Sequence, residues 1–420
     1  MTGWTEERVG WLRERAVAAG FTLAGVAAAT SETVREQVDG ERFETWVEAG
    51  FAGEMNYLKR RDEDGRLLRS AVSVAIPWAR SVVLCAINYR MEGPLSTDAA
   101  KSGAGWIGRY AWSGRQKTVR SASAQSGAAS AQGRSGSAQG RAPDGSVRLP
   151  GQTDVPEARG EMTATDYHEV LLGRLRVLEG EIRAAMPCES RCYVDTGPVV
   201  ERAVATRAGV GWIGKNTTII NQGLGSWTLL ASIITSIPVE PSGVAVEAAD
   251  RCGTCTRCLE ACPTDALIAP HQMDARRCIA YLTIEKKGPI DEELREGMGR
   301  QVFGCDICQD VCPWNRRAPV VTDAEMLPRA EMINPDLDWL AGMTSAEFRR
   351  WFKGSPLERT GKKRLHRNVA IAMGNSREDR FRTRLEMWAR GEDAVLAEAA
   401  TWALRRLQRP SGIEIPMSEG

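Results

Sequence analysis

Histidine, net charge and long apolar runs are what this sequence lacks. Its 420 residues include 3 histidines and carry a formal net charge of +1. The chain therefore has few imidazoles with which to ligate a metal. Because the net charge is close to zero, a nucleic-acid surface has to come from local clustering of basic residues. No window approaches 18 uninterrupted apolar residues, so we expect no membrane span.

The N-terminus also lacks the features of an export signal. Residues 1–8 contain neither a basic region leading into an apolar stretch nor a twin arginine. We therefore expect a cytoplasmic protein, in which thiols stay reduced. Its 11 cysteines are then expected to bind metal rather than to form disulfides. The length allows two or three domains.

Most of the cysteines form two runs. The first is Cys252-x2-Cys255-x2-Cys258-x3-Cys262-Pro263, the spacing of bacterial ferredoxins, in which the fourth cysteine ligates the other cluster. The second run is one cysteine short, and Cys278 upstream of it can supply the missing ligand. We therefore predict two [4Fe–4S] clusters with crossed ligation. One set of ligands is Cys252, Cys255, Cys258 and Cys312, and the other is Cys262, Cys278, Cys305 and Cys308.

Two zinc sites or free core cysteines are the alternatives for these runs. Zinc favours paired Cys-x2-Cys knuckles, and the repeated Cys-x3-Cys-Pro endings argue against it. Cys188 and Cys192 form a separate Cys-x3-Cys pair, for which a structural role is expected over a redox role. Cys85 lies in an apolar stretch and is expected in the core.

Before the cysteine runs, helix and strand signals alternate. Residues 5–20 have helical spacing with Thr5 as a cap, and residues 81–87 are typical of a buried strand. Residues 113–163 are rich in Ser, Ala, Gly, Gln and Arg and have almost no large apolar side chains. Such a tract cannot offset the entropy of ordering. We predict a disordered insertion, with a basic RNA-tethering arm as the alternative.

After the cysteine runs, the chain from about residue 343 onward has helical periodicity. Short helices of this kind, packed in antiparallel pairs, indicate a small helical-repeat domain.

A glycine-rich segment at residues 209–215 is the one candidate for a nucleotide phosphate loop. It fits both Gly-x-Gly-x-x-Gly and Gly-x4-Gly-Lys. Both motifs need a strand before the first glycine, whereas residues 201–208 have a helical pattern. Asn216 also occupies the position of the Walker Ser/Thr. We therefore reject a phosphate loop.

Several motifs resemble those of the epoxyqueuosine reductases, cobalamin-dependent enzymes of tRNA modification that are related to reductive dehalogenases. The resemblance covers most of the chain. It includes Gly53-Glu54-Met55, Arg109-Tyr110-Ala111, Asp166-Tyr167-His168, Asp195-Thr196-Gly197-Pro198, Gly209-Val210-Gly211-Trp212, Gly225-Ser226-Trp227, Cys312-Pro313-Trp314-Asn315 and Arg367-Asn368. In the family Arg-Tyr-Ala is followed almost at once by Asp-Tyr-His, so the insertion is a departure from the family pattern.

The resemblance implies a fold of the α/β (α+β) class in three parts. These are a nitroreductase-like cobalamin-binding core at residues 1–245, a ferredoxin-like two-cluster module at 246–320 and a C-terminal all-α HEAT-like domain at 321–420. The implied reaction is reduction of the epoxide of epoxyqueuosine to queuosine at the wobble position of tRNA. Electrons are expected to pass from an external donor, such as a flavodoxin or ferredoxin, through the clusters to cobalamin. We expect a monomer.

The resemblance also implies site residues. Asp195 matches the family's proposed proton donor, and a carboxyl group kept neutral by an apolar pocket can protonate a leaving oxygen. Its alternative role is to cap the turn before Pro198. Contacts to cobalamin are expected from Tyr57, Arg109, Asp195, Lys215, Asn216, Thr217, Ile219, Leu230 and Ala280.

The histidine at position 168 needs separate treatment. Asp166-x-His168 begins like the cobalt-ligating motif Asp-x-His-x-x-Gly of other cobalamin enzymes, but Leu171 stands at the glycine position. We expect cobalt without an imidazole ligand, and a structural role for His168.

Basic residues cluster between positions 345 and 385, a range that contains twelve Lys and Arg residues but only four Asp and Glu residues. RNA phosphates attract such patches, and a base in an anticodon loop can be splayed into a pocket. A solvated helix face is the alternative. The expected contacts to the tRNA anticodon stem-loop are Lys286, Lys287, Lys362, Lys363, Arg364 and Arg367.

Two other functions compete with the tRNA-modifying reductase. A reductive dehalogenase would usually have a twin-arginine signal and no basic helical tail, which is the reverse of this sequence. A non-catalytic electron-transfer subunit would bind no cobalamin. The motifs favour the reductase.

Overall fold

The computed structural model describes residues 3–29, 34–117, 162–243 and 245–408, which fold into mixed helix and sheet. The helices in these ranges are α1 (Glu6–Ala18), α2 (Val34–Glu48), α3 (Val72–Ala75), α4 (Tyr167–Ala185), α5 (Glu201–Arg207), α6 (Arg257–Glu260), α7 (Ile279–Ile284), α8 (Glu292–Arg295), α9 (Ile307–Asp310), α10 (Leu337–Gly342), α11 (Ser345–Phe352), α12 (Pro356–Ser376), α13 (Arg382–Ala389) and α14 (Ala394–Gln408). The strands are β1 (Leu23–Ala28), β2 (Ser81–Asn88), β3 (Trp106–Ile107), β4 (Ser113–Gln116), β5 (Met162–Ala164), β6 (Ser190–Tyr193), β7 (Trp212–Ile213), β8 (Ile219–Ile220), β9 (Thr228–Thr235), β10 (Gln301–Phe303) and β11 (Leu327–Pro328).

A four-stranded sheet in the order β1-β2-β9-β6 forms the centre of the N-terminal half. Its pairings are antiparallel, with Val83 of β2 opposite Val26 and Ile233. All of β2 is buried, because helices or loops cover both faces of the sheet. The strand predicted at residues 81–87 is confirmed, and Cys85 lies in the core as expected.

The first helix is also confirmed. Thr5 caps α1, and its side chain accepts a hydrogen bond from the backbone N–H of Arg8 at 3.3 Å. Leu12 and Ala16 face the core, as the helical spacing predicts.

The bounds of the predicted insertion are wrong at both ends. β4 pairs with β5 and with β11, and Gly114 lies opposite Ala164 and Leu327. Ladder hydrogen bonds, rather than large apolar side chains, order these short strands. The predicted disorder of residues 118–161 lies outside the described residues.

The glycine-rich segment follows a helix, as expected. α5 ends at Arg207, and Gly209 with a φ of 71° carries the chain away from it. β7 and β8 then form a small hairpin in which Ile213 lies opposite Ile219. No strand precedes the first glycine at this place, which agrees with the rejection of a phosphate loop.

The segment between residues 251 and 315 contains only short helices and β10, so many of its backbone groups need partners from elsewhere. Asn315 accepts a hydrogen bond from the backbone N–H of Ser226 at 2.7 Å and donates to the Ser226 hydroxyl at 2.9 Å. The Nδ2 of Asn368 donates to the carbonyl oxygens of Thr283 and Val302, both at 2.9 Å. Buried amides therefore connect this segment to the chain on either side.

Helices α10 to α14 form the C-terminal part, as the periodicity predicts. α12 packs along α14, and Gly374 allows a close approach, because a Cβ there would lie 2.8 Å from Ala403. α12 is interrupted at Gly361, whose φ of 73° is not helical. On α14, Ala399, Ala400 and Ala403 are buried.

One hydrophobic core runs through all three predicted domains. It contains Leu12 of α1, Trp106 of β3, Leu282 of α7, Phe352 of α11 and Ala400 of α14. The domain boundaries stay a prediction, and packing is continuous across them. None of the helices in the described ranges combines the length and the hydropathy needed to cross a bilayer.

Replacing Asn368 by Ala removes the donor for two buried carbonyl groups. Each unsatisfied carbonyl costs about 1–3 kcal/mol, so we expect the free energy of unfolding to fall by about 2–4 kcal/mol in urea denaturation. Asn56→Ala, at an exposed position, is the matched control. Equal stability of the two variants would show that Asn368 does not hold the C-terminal helices to the cysteine segment.

Candidate active site and cysteine cavities

The first predicted cysteine set surrounds one cavity. Its volume is about 360 Å³. The end of α9 carries the last cysteine of the second run to the first run, because α6 and α9 pack together. The structure therefore brings together the four cysteines predicted for one cluster, Cys252, Cys255, Cys258 and Cys312.

The cysteines of the second predicted set are partly buried. Burial raises the pKa of the Cys308 thiol well above its usual value, and nearby Cys278 and Cys262 raise it further. Burial also raises the pKa of Cys305, with Cys308 and Cys278 adding to it. These four thiols are thus close neighbours. A thiolate among them is unfavourable unless a cationic centre offsets its charge.

Neither set converges on a single point. Within the part of the chain that the structure describes, no three Cys, His, Asp or Glu side chains come close enough to hold one metal ion. A zinc ion requires four ligands within about 2.3 Å of the metal, whereas cysteines arranged around a cavity suit a cluster of several atoms.

Basic and aromatic side chains complete the first cavity. Lys215, Arg251, Arg257 and Trp314 line it. The Nζ of Lys215 donates to the carbonyl oxygens of Gly253 at 2.6 Å and Cys255 at 3.0 Å, and so fixes the loop of the first cysteine run.

Asp195 lies in the loop between β6 and α5, with a φ of 57° and a side chain that is 51 % exposed. The Tyr167 hydroxyl donates a hydrogen bond to its Oδ2, and His168 Nε2 is 3.6 Å from the same oxygen. The expected apolar pocket is therefore wrong. Polar groups of α4 surround the carboxyl group, because α4 begins directly beside it.

Glu201, at the start of α5, is a second partner of Asp195. Its Oε1 accepts a hydrogen bond from the backbone N–H of Asp195 at 3.3 Å. Burial raises the pKa of Glu201 well above its usual value, and the neighbouring Asp195 raises it further. A carboxyl group whose pKa is raised holds its proton more readily than an ordinary one.

Sequence reasoning missed this role of Glu201. A glutamate in the first turn of a helix is ordinarily explained by the helix dipole, so its position gave no reason to pair it with Asp195.

Further polar groups lie around the pair. Tyr57 is 47 % exposed, and the Arg69 guanidinium is 5.6 Å from the centre of its ring. Burial raises the pKa of Tyr57 to about 12, with Glu285 and Asp195 adding to it and Arg69 opposing it. We call Tyr57, Arg69, Tyr167, His168, Asp195, Glu201, Arg202 and Thr217 the Asp195 site.

The Asp195 site adjoins the second cysteine set. The Arg202 guanidinium donates to the Thr217 carbonyl oxygen at 2.6 Å. It also experiences the charges of Asp195, Glu201 and Cys278. Arg202 therefore lies near both the carboxyl pair and a predicted cluster ligand.

The predicted cobalamin contacts apart from Asp195 and Arg109 lie in three different environments. Tyr57, Thr217, Leu230 and Ala280 are partly exposed, and so are available to a ligand. Lys215 and Asn216 lie at the first cysteine cavity instead. Ile219 is 3 % exposed and packs in the core.

The prediction for Arg109 is contradicted. Its side chain is 2 % exposed and donates to the carbonyl oxygens of Met91 at 2.6 Å and Pro94 at 2.7 Å. The guanidinium also lies over Trp112. These contacts turn it into the interior, where no cofactor reaches it.

The basic cluster is smaller on the surface than in the sequence. Arg367 is 1 % exposed and donates to the carbonyl oxygens of Leu282, Lys286 and Gly288, so its predicted tRNA contact is wrong. Arg364 likewise donates to backbone carbonyl oxygens.

The four candidate lysines differ in their exposure and pairing. Lys286 is paired with Glu54 at 2.7 Å. Lys287 is exposed, and the side chain of Lys363 is 86 % exposed. Lys362 is half-buried. A nucleic acid can therefore reach Lys287 and Lys363 most readily.

Comparison with known proteins gives a consistent result. A family model described as a 4Fe-4S double cluster binding domain matches residues 251–315. An epoxyqueuosine reductase of Synechocystis sp. is 34 % identical over 345 residues, which are 81 % of this chain and 97 % of that protein. One of Xanthomonas campestris is 43 % identical over 242 residues, 57 % of this chain and 67 % of that protein.

Solved structures agree. A selenomethionine-labelled epoxyqueuosine reductase superposes with a TM-score of 0.73 at 28 % identity, covering 95 % of this chain and 90 % of that one. One with an epoxyqueuosine-modified tRNA stem loop gives 0.72 at 28 % identity, covering 95 % and 89 %. The Bacillus subtilis protein, with its catalytic aspartate loop swung out of the active site, gives 0.72 at 27 % identity, covering 96 % and 90 %. By sequence and by fold, this chain belongs to the epoxyqueuosine reductase family.

Proposed function

We propose that this chain reduces the epoxide of epoxyqueuosine to queuosine at the wobble position of tRNA, as a step of queuosine biosynthesis. One observation carries the proposal: the Asp195–Glu201 carboxyl pair and Cys278 of the second cysteine set both lie close enough to Arg202 to shift its pKa. A source of protons and a source of electrons thus meet at one place. Reductive removal of an oxygen atom requires both.

Two [4Fe–4S] clusters are the electron carriers in this proposal. The ligands are the two crossed cysteine sets, one at the surface cavity and one beside the Asp195 site. Cobalamin is the third cofactor, and when bound it supplies the low-potential electrons that open the epoxide. The partly exposed Tyr57, Thr217, Leu230 and Ala280 offer hydroxyl and apolar groups that suit the amide rim and the faces of a corrin ring. This nitroreductase-like use of the α/β core, and the HEAT-like description of the C-terminal helices, are parts of the same proposal.

Asp195 acts as the proton donor. Release of the epoxide oxygen as water takes up two electrons and two protons. A proton held by Glu201 reaches the substrate through Asp195, whose side chain is half-exposed. The Tyr167 hydroxyl donates to Oδ2 and so holds the carboxyl group in position.

The electron donor docks, in this proposal, at the first cysteine cavity. Lys215, Arg251 and Arg257 are among the described residues that line it, and none of those residues is acidic. A basic rim favours an acidic electron-transfer protein such as a flavodoxin or ferredoxin. The tRNA substrate places the reaction in the cytoplasm, and the monomeric state stays a prediction.

Exchange of either carboxyl group tests the proton donor. Glu201→Gln removes the carboxyl group whose pKa is raised in the pair. Turnover at neutral pH should fall by about 10–100-fold, and activity should decline from a lower pH than in the wild-type chain. Asp195→Asn should lose at least as much at every pH, with tRNA affinity unchanged. A wild-type pH–rate profile in both variants would exclude the pair from proton transfer.

Iron content tests the crossed cysteine sets. We expect about eight irons per chain in anaerobically purified protein and about four in Cys312→Ser. Cys188→Ser, outside both sets, is the control and should keep about eight. An unchanged iron content in Cys312→Ser would remove this cysteine from the ligands.

Charge reversal tests the RNA surface. Lys287→Glu with Lys363→Glu should weaken binding of the tRNA stem-loop and reduce the salt dependence of binding by about one unit of slope per lost phosphate contact. A variant with the same change in charge, Arg15→Glu with Arg42→Glu, lies on α1 and α2 and should bind normally. Equal affinity of the two variants would place the RNA elsewhere.

A further inference from the structure

The proton requirement of the proposed reaction exceeds what one carboxyl group supplies. Each turnover consumes two protons, and Asp195 has to be reprotonated after it gives one away. We propose that His168, held by Asp166 and Arg359, carries protons from solvent to Asp195. This inference rests on the proposed function, and it replaces the structural role that the sequence predicts for His168.

The position of His168 follows from the start of α4. Asp166 caps the helix, and its Oδ1 accepts a hydrogen bond from the backbone N–H of His168 at 3.0 Å. The same oxygen lies 2.8 Å from His168 Nδ1. Because a carboxylate only accepts, Nδ1 carries the hydrogen and Nε2 is left free on the opposite edge of the ring. That edge faces Asp195, with Nε2 3.6 Å from Oδ2.

Arg359 extends this arrangement from the C-terminal helices. Its guanidinium pairs with Asp166 Oδ2. Its second terminal nitrogen lies 3.2 Å from His168 Nδ1, but as a donor it makes no hydrogen bond there while Nδ1 carries the hydrogen. Burial raises the pKa of Asp166, but the hydrogen bonds from His168 and the charge of Arg359 more than offset this and lower it below the usual value. Asp166 therefore stays ionised and stabilises a positive charge on the imidazole.

The remaining surroundings suit proton transfer rather than burial. The charged or titratable groups that face His168 are Asp166, Asp195, Arg359 and Tyr167, whose ring centre is 4.1 Å away. The His168 side chain is 22 % exposed, so water reaches it. An aspartate that fixes Nδ1–H while Nε2 exchanges the proton is the division of roles found in hydrolase triads.

The transfer balances without any further reactant. Water or hydronium gives a proton to Nε2, the imidazolium gives it to Asp195 Oδ2, and Asp195 gives it to the epoxide oxygen. Both electrons come from the external donor of the proposed reaction. No protein group is oxidised or reduced in these steps.

The test compares His168→Gln and His168→Ala with the wild-type chain, all loaded with clusters and cobalamin, on an epoxyqueuosine stem-loop. Glutamine keeps a hydrogen-bonding group but carries no proton at these pH values. We expect kcat to fall by about 10–100-fold, KM to stay within about twofold, and the pH profile of kcat to change. Added imidazole should restore part of the rate of His168→Ala. Arg359→Lys should retain more activity than Arg359→Ala.

The matched control is His271→Asn, since His271 also faces an aspartate, Asp250, at 3.3 Å and its φ of 64° is one that asparagine adopts readily. It should turn over at the wild-type rate. A wild-type kcat and pH profile in His168→Gln would overturn the relay, and so would a loss that imidazole does not restore and that appears in KM. Turnover by the wild-type chain tests the proposed function separately, because an unchanged variant contradicts only the relay, whereas an inactive wild-type chain contradicts both.

Discussion

The cysteine segment depends on buried side chains that other parts of the chain contribute. It has little regular secondary structure, so its backbone groups have to be paired from outside. Asn368 and Arg367 of α12 donate to its carbonyl oxygens from one side. On the other side Asn315 and Gln309 are bonded to Ser226, which precedes β9. The two cysteine sets are thereby fixed relative to the central sheet and to the C-terminal helices.

This attachment determines where electrons and protons meet. The loop after β6 and the start of α5 present Asp195 and Glu201, and α7 begins directly after Cys278. Because Val194, directly before Asp195, and Ile279 of α7 pack into one core, the carboxyl pair and the second cysteine set stay next to each other. The first cysteine set lines a basic surface cavity. In the proposed function, electrons enter at this cavity and protons enter at the Asp195 site, where Arg359 adds a contact from the C-terminal helices.

The sequence predicted what depends on local pattern and little of what depends on long-range pairing. The cysteine spacing led to two crossed sets that the structure brings together, and the periodicity of α1, β2 and α14 identified these elements. From the sequence we assigned Arg109 to a cofactor contact and Arg367 to an RNA contact, because a charged residue in a motif suggests a ligand. Both are buried against backbone carbonyl oxygens more than ten residues away, a role that leaves no periodic signal. The roles of Glu201 and His168 were missed for the same reason, because the fold and not the local sequence brings their partners to them.

The most direct test of the account is turnover by the complete protein. The chain is reconstituted anaerobically with iron, sulfide and cobalamin, supplied with a reduced flavodoxin and given a stem-loop that carries epoxyqueuosine, and the nucleoside is analysed by mass spectrometry. The account predicts loss of one oxygen atom from the modified base, and no loss when cobalamin is omitted or the clusters are absent. An unchanged nucleoside in the presence of both kinds of cofactor would contradict it.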